Sequence, residues 1–175
     1  MILLLSSCSK TGALTTSCAD DSAIQACFTP GQNCTAMLVD AINAAQENIY
    51  VQAYSFTSYP IAKALVRAQE RGVDVAVIVD KSDFDPQYFS VVPYLQQHHI
   101  PLWVDNEVNI AHNKVMIFDQ ASVETGSFNF TQAAQKANAE NMLIIHNPQL
   151  AEIYWHNWQK RQEASQVVPS RQNSN

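Results

Sequence analysis

Apolar residues at positions 37, 38, 41, 42 and 45 recur at helical spacing and predict a first helix over 35–46. From Asn48 to Phe56 the pattern changes to alternation. Val51, Ala53 and Ser55 take one face and Tyr50, Gln52, Tyr54 and Phe56 the other, as in a strand. Ser58 as N-cap and Pro60 in the first turn open a second helix, which Gly72 ends. The run VDVAVIVD over 73–80 has strand length and the continuous apolar character of a sheet covered on both faces. Residues 81–85 are polar and predict a loop; 86–99 predict a helix that Pro93 bends or splits. A short strand comes next, over 100–104. Thr131 caps a brief helix over 132–137, and 140–146 form the last strand. Pro148 opens a final amphipathic helix carrying Leu150, Ile153, Tyr154 and Trp158. Strands interleaved with helices predict one α/β domain, a mixed β-sheet sandwiched between helices, over residues 26–164. The Ser/Thr-rich stretch 9–25 suits a flexible tether, and the polar tail 165–175 is expected to be disordered.

One stretch carries a concentration of chemistry: HNKVMIFDQASVETGSFN, from His112 to Asn129. Two strand-like runs flank a polar break at Asp119–Ser122. A two-residue hairpin loop at Gln120–Ala121 would make facing residues sum to 241. His112 then lies opposite Asn129 and Lys114 opposite Ser127, so all four side chains share one face at the open end of the hairpin. Asp119 falls at the turn, about 20 Å along the strand from His112, and reads as a residue that hydrogen-bonds local backbone. Such a patch suits a phosphate. Lys114 supplies a cation, Ser127 and Asn129 supply hydrogen-bond donors, and Gly126 permits close approach. His112 can act as nucleophile or as general acid and base near neutral pH.

These residues resemble the HKD signature of the phospholipase D superfamily, with every fixed position filled. The wider resemblance runs over about residues 26–162, through CFTPGQNCTAMLVDAINAAQ, VQAYSFTSYPIAKALVRAQERGVDVAVIVDKS and GSFNFTQAAQKANAENMLII. It is to the small single-motif bacterial endonucleases of the Nuc type. The resemblance implies a catalytic set of His112, Lys114, Ser127, Asn129 and Glu140, with Glu140 hydrogen-bonded to the active-site histidine. It also implies that Tyr54 and Phe56 pack under the site. Superfamily catalysis uses two histidines, and this chain has one His-x-Lys, so a homodimer with the site on its two-fold axis is implied. No cofactor and no metal are expected.

Net charge changes the picture of the partner. At −6 over 175 residues, tight non-specific binding to nucleic acid is not supported, although a local cationic site can work inside an acidic shell. Lys63, Arg67 and Arg71 recur on one helical face, read as a solvated face ahead of a DNA track. The substrate expected is nonetheless nucleic acid. Two alternatives stand beside it: a lipid phosphodiesterase or transferase of the same superfamily, and a non-catalytic envelope module that binds nucleic acid.

The cysteines bear on location. Leu5-Ser6-Ser7-Cys8 resembles a bacterial lipobox, with Cys8 as lipidation site and residues 1–8 as the remnant of a longer signal. Cys27 and Cys34 bracket a turn-rich Pro-Gly segment and could close a small disulfide loop in an oxidising compartment. If the lipobox is accidental, a Cys8–Cys18 bridge is possible instead. The expected address is the bacterial envelope, periplasmic or as an outer-membrane lipoprotein held by its lipid anchor.

Overall fold

A computed structural model describes residues 23–169. Its strands are β1 (Ile24–Thr29), β2 (Asn48–Ala53), β3 (Asp74–Asp80), β4 (Leu102–Asp105), β5 (Lys114–Phe118), β6 (Ser122–Gly126), β7 (Glu140–His146) and β8 (Gln166–Val168). The helices are α1 (Cys34–Ala44), α2 (Tyr59–Glu70), α3 (Val92–Gln97), α4 (Gln132–Lys136) and α5 (Pro148–Ala164), with one 3₁₀ turn at Lys81–Phe84. All eight strands join one mixed sheet in the order β1-β7-β6-β5-β2-β3-β4-β8. Parallel pairing is confined to β2–β3 and β3–β4, which α2 and α3 connect; every other pair is antiparallel.

Helices cover both faces, as the apolar runs require. On one face Leu38, Ile42, Ile61, Leu65 and Leu95 pack on Ile49, Val51, Val77 and Met116. On the other, Ala151 and Trp158 of α5 pack on Tyr50, Ile78, Ile117 and Val123. Trp158 Nε1 donates to the Val51 carbonyl at 3.0 Å, so the indole is buried without an unmet polar group. Arg161 clamps α5 to the sheet by a two-pronged bond to Asp105, which is 2% exposed. Among the described residues no helix is long and apolar enough to cross a membrane.

The Cys27–Cys34 disulfide is present and joins β1 to the start of α1. Cys8 and Cys18 lie outside the described residues. Several expectations need correction. The expected tether reaches 25, yet β1 begins at Ile24 because its backbone pairs with β7, Ile24 opposite Ile145. Of the tail expected to be disordered over 165–175, Gln166–Val168 form β8, which bonds to β4 and closes that edge, while 170–175 lie outside the described residues. The helix expected over 86–99 is only α3, because Pro93 occupies its first turn and so starts it. Arg71 leaves the solvated helix face to donate to the Ile42 and Ala45 carbonyls at the end of α1.

The hairpin register also differs. Phe118 faces Ser122 and Val115 faces Thr125, so facing numbers sum to 240. The left-handed pair of the turn is Asp119 and Gln120 (φ 52° and 50°), with Ala121 N–H donating to Phe118 O at 2.9 Å. The turn thus begins one residue earlier than the sequence suggested, and Ala121 is an extra residue that the ladder skips. Asp119 does bind backbone, but not locally. Its carboxylate accepts from the Gln46, Glu47 and Asn48 N–H groups, tying the hairpin turn to the α1–β2 connection.

Candidate active site

With facing residues summing to 240, Lys114 stands across from Gly126, and the ladder alone would not bring Ser127 to it. Ser127 is linked to Lys114 through Glu140, which accepts from Ser127 and lies near enough to Lys114 to act on its charge; the extended segment after Gly126 makes this possible. Phe128 and Phe130 are both fully buried, and the residues between and before them turn the other way. Ser127 is therefore exposed and Asn129 half-buried. Ser127 and Phe128 N–H both donate to Asn141 O, at 3.0 and 3.3 Å. A Cβ on Gly126 would run into that same carbonyl, so glycine is required for β6 and β7 to close here.

Ser127 Oγ then donates to Glu140 Oε2 at 2.5 Å and accepts the Asn141 N–H at 3.1 Å. The other Glu140 oxygen accepts from Asn138 at 2.9 Å. Glu140 makes no hydrogen bond to His112 within the subunit, contrary to the role the resemblance implied; its two oxygens are taken by Ser127 and Asn138. Asn129 Oδ1 is buried and has no partner.

His112 itself is exposed, just ahead of β5. Its ring lies 4.4 Å from the Tyr54 ring, and Lys114 Nζ sits 4.8 Å from the same ring while donating to His112 O at 2.8 Å. The Tyr54 N–H bonds Asn113 O, so the end of β2 holds the His-x-Lys segment in place. Burial pulls Lys114 below the usual lysine range, and the nearby Glu140 carboxylate opposes that shift. A desolvated cation beside an exposed imidazole is an arrangement that can hold a phosphodiester and attack it. Phe56 lies beneath, fully buried and edge-on to Phe130.

Two supporting residues were not singled out from sequence. Asp80, at the carboxyl end of β3, accepts the Ser82 N–H on one oxygen and the Ala111 N–H on the other. Lys81 Nζ donates to Val108 O. Together they anchor the 106–112 loop that delivers His112. A charged residue closing an otherwise apolar parallel strand was the available signal, since sites gather at those strand ends.

Comparison with known proteins agrees with this geometry. A family model described as cardiolipin synthase, PLD-like domain, matches residues 38–161. The chain is similar to a phospholipase D of Rickettsia typhi, 46% identical over 144 residues, covering 82% of this chain and 70% of that protein. Among solved structures it resembles Nuc, a phospholipase D family member from Salmonella typhimurium. That match has a TM-score of 0.80 and 37% identity, over 86% of this chain and all of that one. NucT from Helicobacter pylori shares the fold, with a TM-score of 0.76 at 24% identity over 85% of this chain and all of that one. The matching family model and these relatives make the chain a phosphodiesterase of the phospholipase D superfamily.

Proposed function

We propose that this phosphodiesterase is a metal-independent endonuclease, acting on DNA or RNA through a phosphohistidine on His112. The observation that carries the reading is the exposed His112 beside the desolvated Lys114, in a sequence with one His-x-Lys. One imidazole cannot attack phosphorus and protonate the leaving oxygen in the same step. Two copies of the chain therefore share one site. His112 of one subunit attacks phosphorus, and the P–O bond to the leaving oxygen breaks as that oxygen takes a proton from the partner subunit's His112. Water then attacks the phosphohistidine, gives its proton to that second imidazole and frees the first. Lys114, Ser127 and Asn129 from both copies hold the phosphate and its developing charge. Similarity to Nuc favours this substrate.

A lipid substrate is the second reading, favoured by the relatives named phospholipase D. Purified protein incubated in EDTA with plasmid, oligonucleotide and phosphatidylcholine separates the two. Cleavage of the nucleic acids is expected; turnover of phosphatidylcholine alone would transfer the site to lipid chemistry.

We further propose that the enzyme resides in the bacterial envelope, tethered through lipid on Cys8. The support is the lipobox-like Leu5–Cys8 and the Cys27–Cys34 disulfide. In a full-length precursor, Cys8→Ser should abolish palmitate labelling and membrane fractionation; soluble recovery of the unmutated protein would refute the anchor.

A further inference from the structure

A cleft of about 690 Å³ opens beside the active site, between the start of α1, the start of α2 and α4. Its wall at Thr57 and Ser58 is bonded to the site. Both N–H groups donate to the Phe130 carbonyl, at 3.0 and 2.9 Å, and Phe130 comes directly after Asn129. Gln132, also in the lining, is three residues from Asn129, so at most about 11 Å of backbone separates it from the motif.

The lining has a distinct chemistry. Val39, Tyr59, Pro60 and Phe89 supply its apolar surface. Tyr59 and Phe89 are 42% and 60% exposed, with ring centroids 5.7 Å apart. Phe28, Phe84 and Tyr88 are also exposed, but Tyr59 and Phe89 are the aromatics that line this cleft, their rings tilted 49° to one another, so that each offers a face or an edge to what enters it. The lining carries one charge, Lys136, and no carboxylate. Lys63 Nζ approaches the Tyr59 ring at 6.0 Å. Ion pairs among the described residues are His156–Glu152 and Arg161–Asp105, so neither lysine is paired. In a chain of net charge −6 this is a local cationic margin. Ser58, 6% exposed, lines the cleft and makes no capping bond with its hydroxyl.

We infer that this cleft is the subsite for the nucleotide flanking the scissile phosphate in a single strand. Its base stacks on Tyr59 and Phe89, and the next phosphate meets Lys136. This rests on the nuclease reading above and adds strand specificity to it. Aromatic faces take any base, and a base already stacked inside a duplex is not available to them. Exposed rings beside an unpaired cation match a nucleotide, which offers a π-face and an anion together, better than an acyl chain, which offers neither.

The test compares Tyr59→Ala/Phe89→Ala and Lys136→Gln with the unmutated dimer on three substrates in EDTA: a single-stranded oligonucleotide, bis(p-nitrophenyl) phosphate and phosphatidylcholine vesicles. The aromatic double variant should raise KM for the oligonucleotide about tenfold or more, with kcat little changed. Hydrolysis of bis(p-nitrophenyl) phosphate, which has no flanking base, should be unaltered, showing that site and fold are intact. Phe89→Trp should restore oligonucleotide KM. Unchanged oligonucleotide KM in the double variant, or an equal loss on the small diester, would overturn the subsite. A loss confined to the vesicles would assign the cleft to lipid instead. Failure of the unmutated dimer to cut any oligonucleotide would remove the nuclease reading itself, and the subsite with it.

Discussion

The Asp80 carboxylate, 2% exposed, accepts the backbone N–H of Ala111 at 2.7 Å, and Ala111 is the residue before His112. Its other oxygen accepts the Ser82 N–H at 2.9 Å, so both oxygens are committed as acceptors. An amide can accept on one side only and would press an N–H against an N–H on the other. Asp80→Asn should therefore release the loop that carries His112 and lower kcat about tenfold to a hundredfold, with KM for the small diester nearly unchanged. A variant with unmutated kcat would show that the loop is held by other means.

Asp119 divides structure from chemistry within the motif. It accepts three backbone N–H groups at the far end of the hairpin, and none of the site side chains reaches it. Asp119→Ala should cost about 2 kcal/mol of stability in urea unfolding, given what bonds to a charged acceptor contribute. Its kcat should be retained wherever it is folded. A folded but inactive Asp119→Ala protein would contradict this division.

His112→Ala should abolish turnover, and Lys114→Met should lower kcat by at least about a hundredfold, the loss expected when one charge-stabilising group is removed. A purified heterodimer of one His112→Ala and one unmutated subunit should be inactive although half its imidazoles remain. Retention of half the activity would mean that each subunit works alone.

Asp83 gives stability a pH dependence. Burial pushes its carboxyl up to about 7, with the Phe56 N–H and Ser90 opposing and Asp80 assisting. In the unfolded chain an aspartate has lost its proton by about pH 5, whereas the native carboxyl still holds it. The native state then binds more protons across that window, so stability is full below about pH 4 and declines as pH rises through about 7. Asp83→Asn should flatten that decline by about 1–3 kcal/mol between about pH 4.5 and 8. A slope should remain, because burial also raises the fully buried Glu124, with the Met116 N–H opposing. Identical slopes with and without Asp83 would assign the whole effect elsewhere.

Elements with strong local signals were legible. The β3 run, the Pro60 and Gly72 boundaries of α2, the Thr131 cap and β7 all lie where periodicity and caps put them. What failed was set by tertiary pairing. β1 and β8 carry no pattern of their own and are strands because an edge was there to bind. The hairpin slipped because Asp119–Gln120, not Gln120–Ala121, adopts the left-handed turn. Buried Phe128 and Phe130 still turn Ser127 and Asn129 to the other side, independently of the ladder. Asp80 stayed out of view because its partner, the Ala111 N–H, is a backbone group that no side-chain motif encodes.

The outermost strand β1 opens the described chain, yet its partner β7 lies near the far end, Ile24 opposite Ile145. On a ribosome, β1 emerges first and has nothing to bind until almost the whole domain has been made. The inner strands β2 and β3 can pair meanwhile, since a single helix separates them. Glu140 and Asn141 belong to β7 as well, so the site's last hydrogen bonds form together with this long-range closure. Completion of the active site is thereby coupled to the emergence of β7, and a growing chain carries His112 before it carries a complete site.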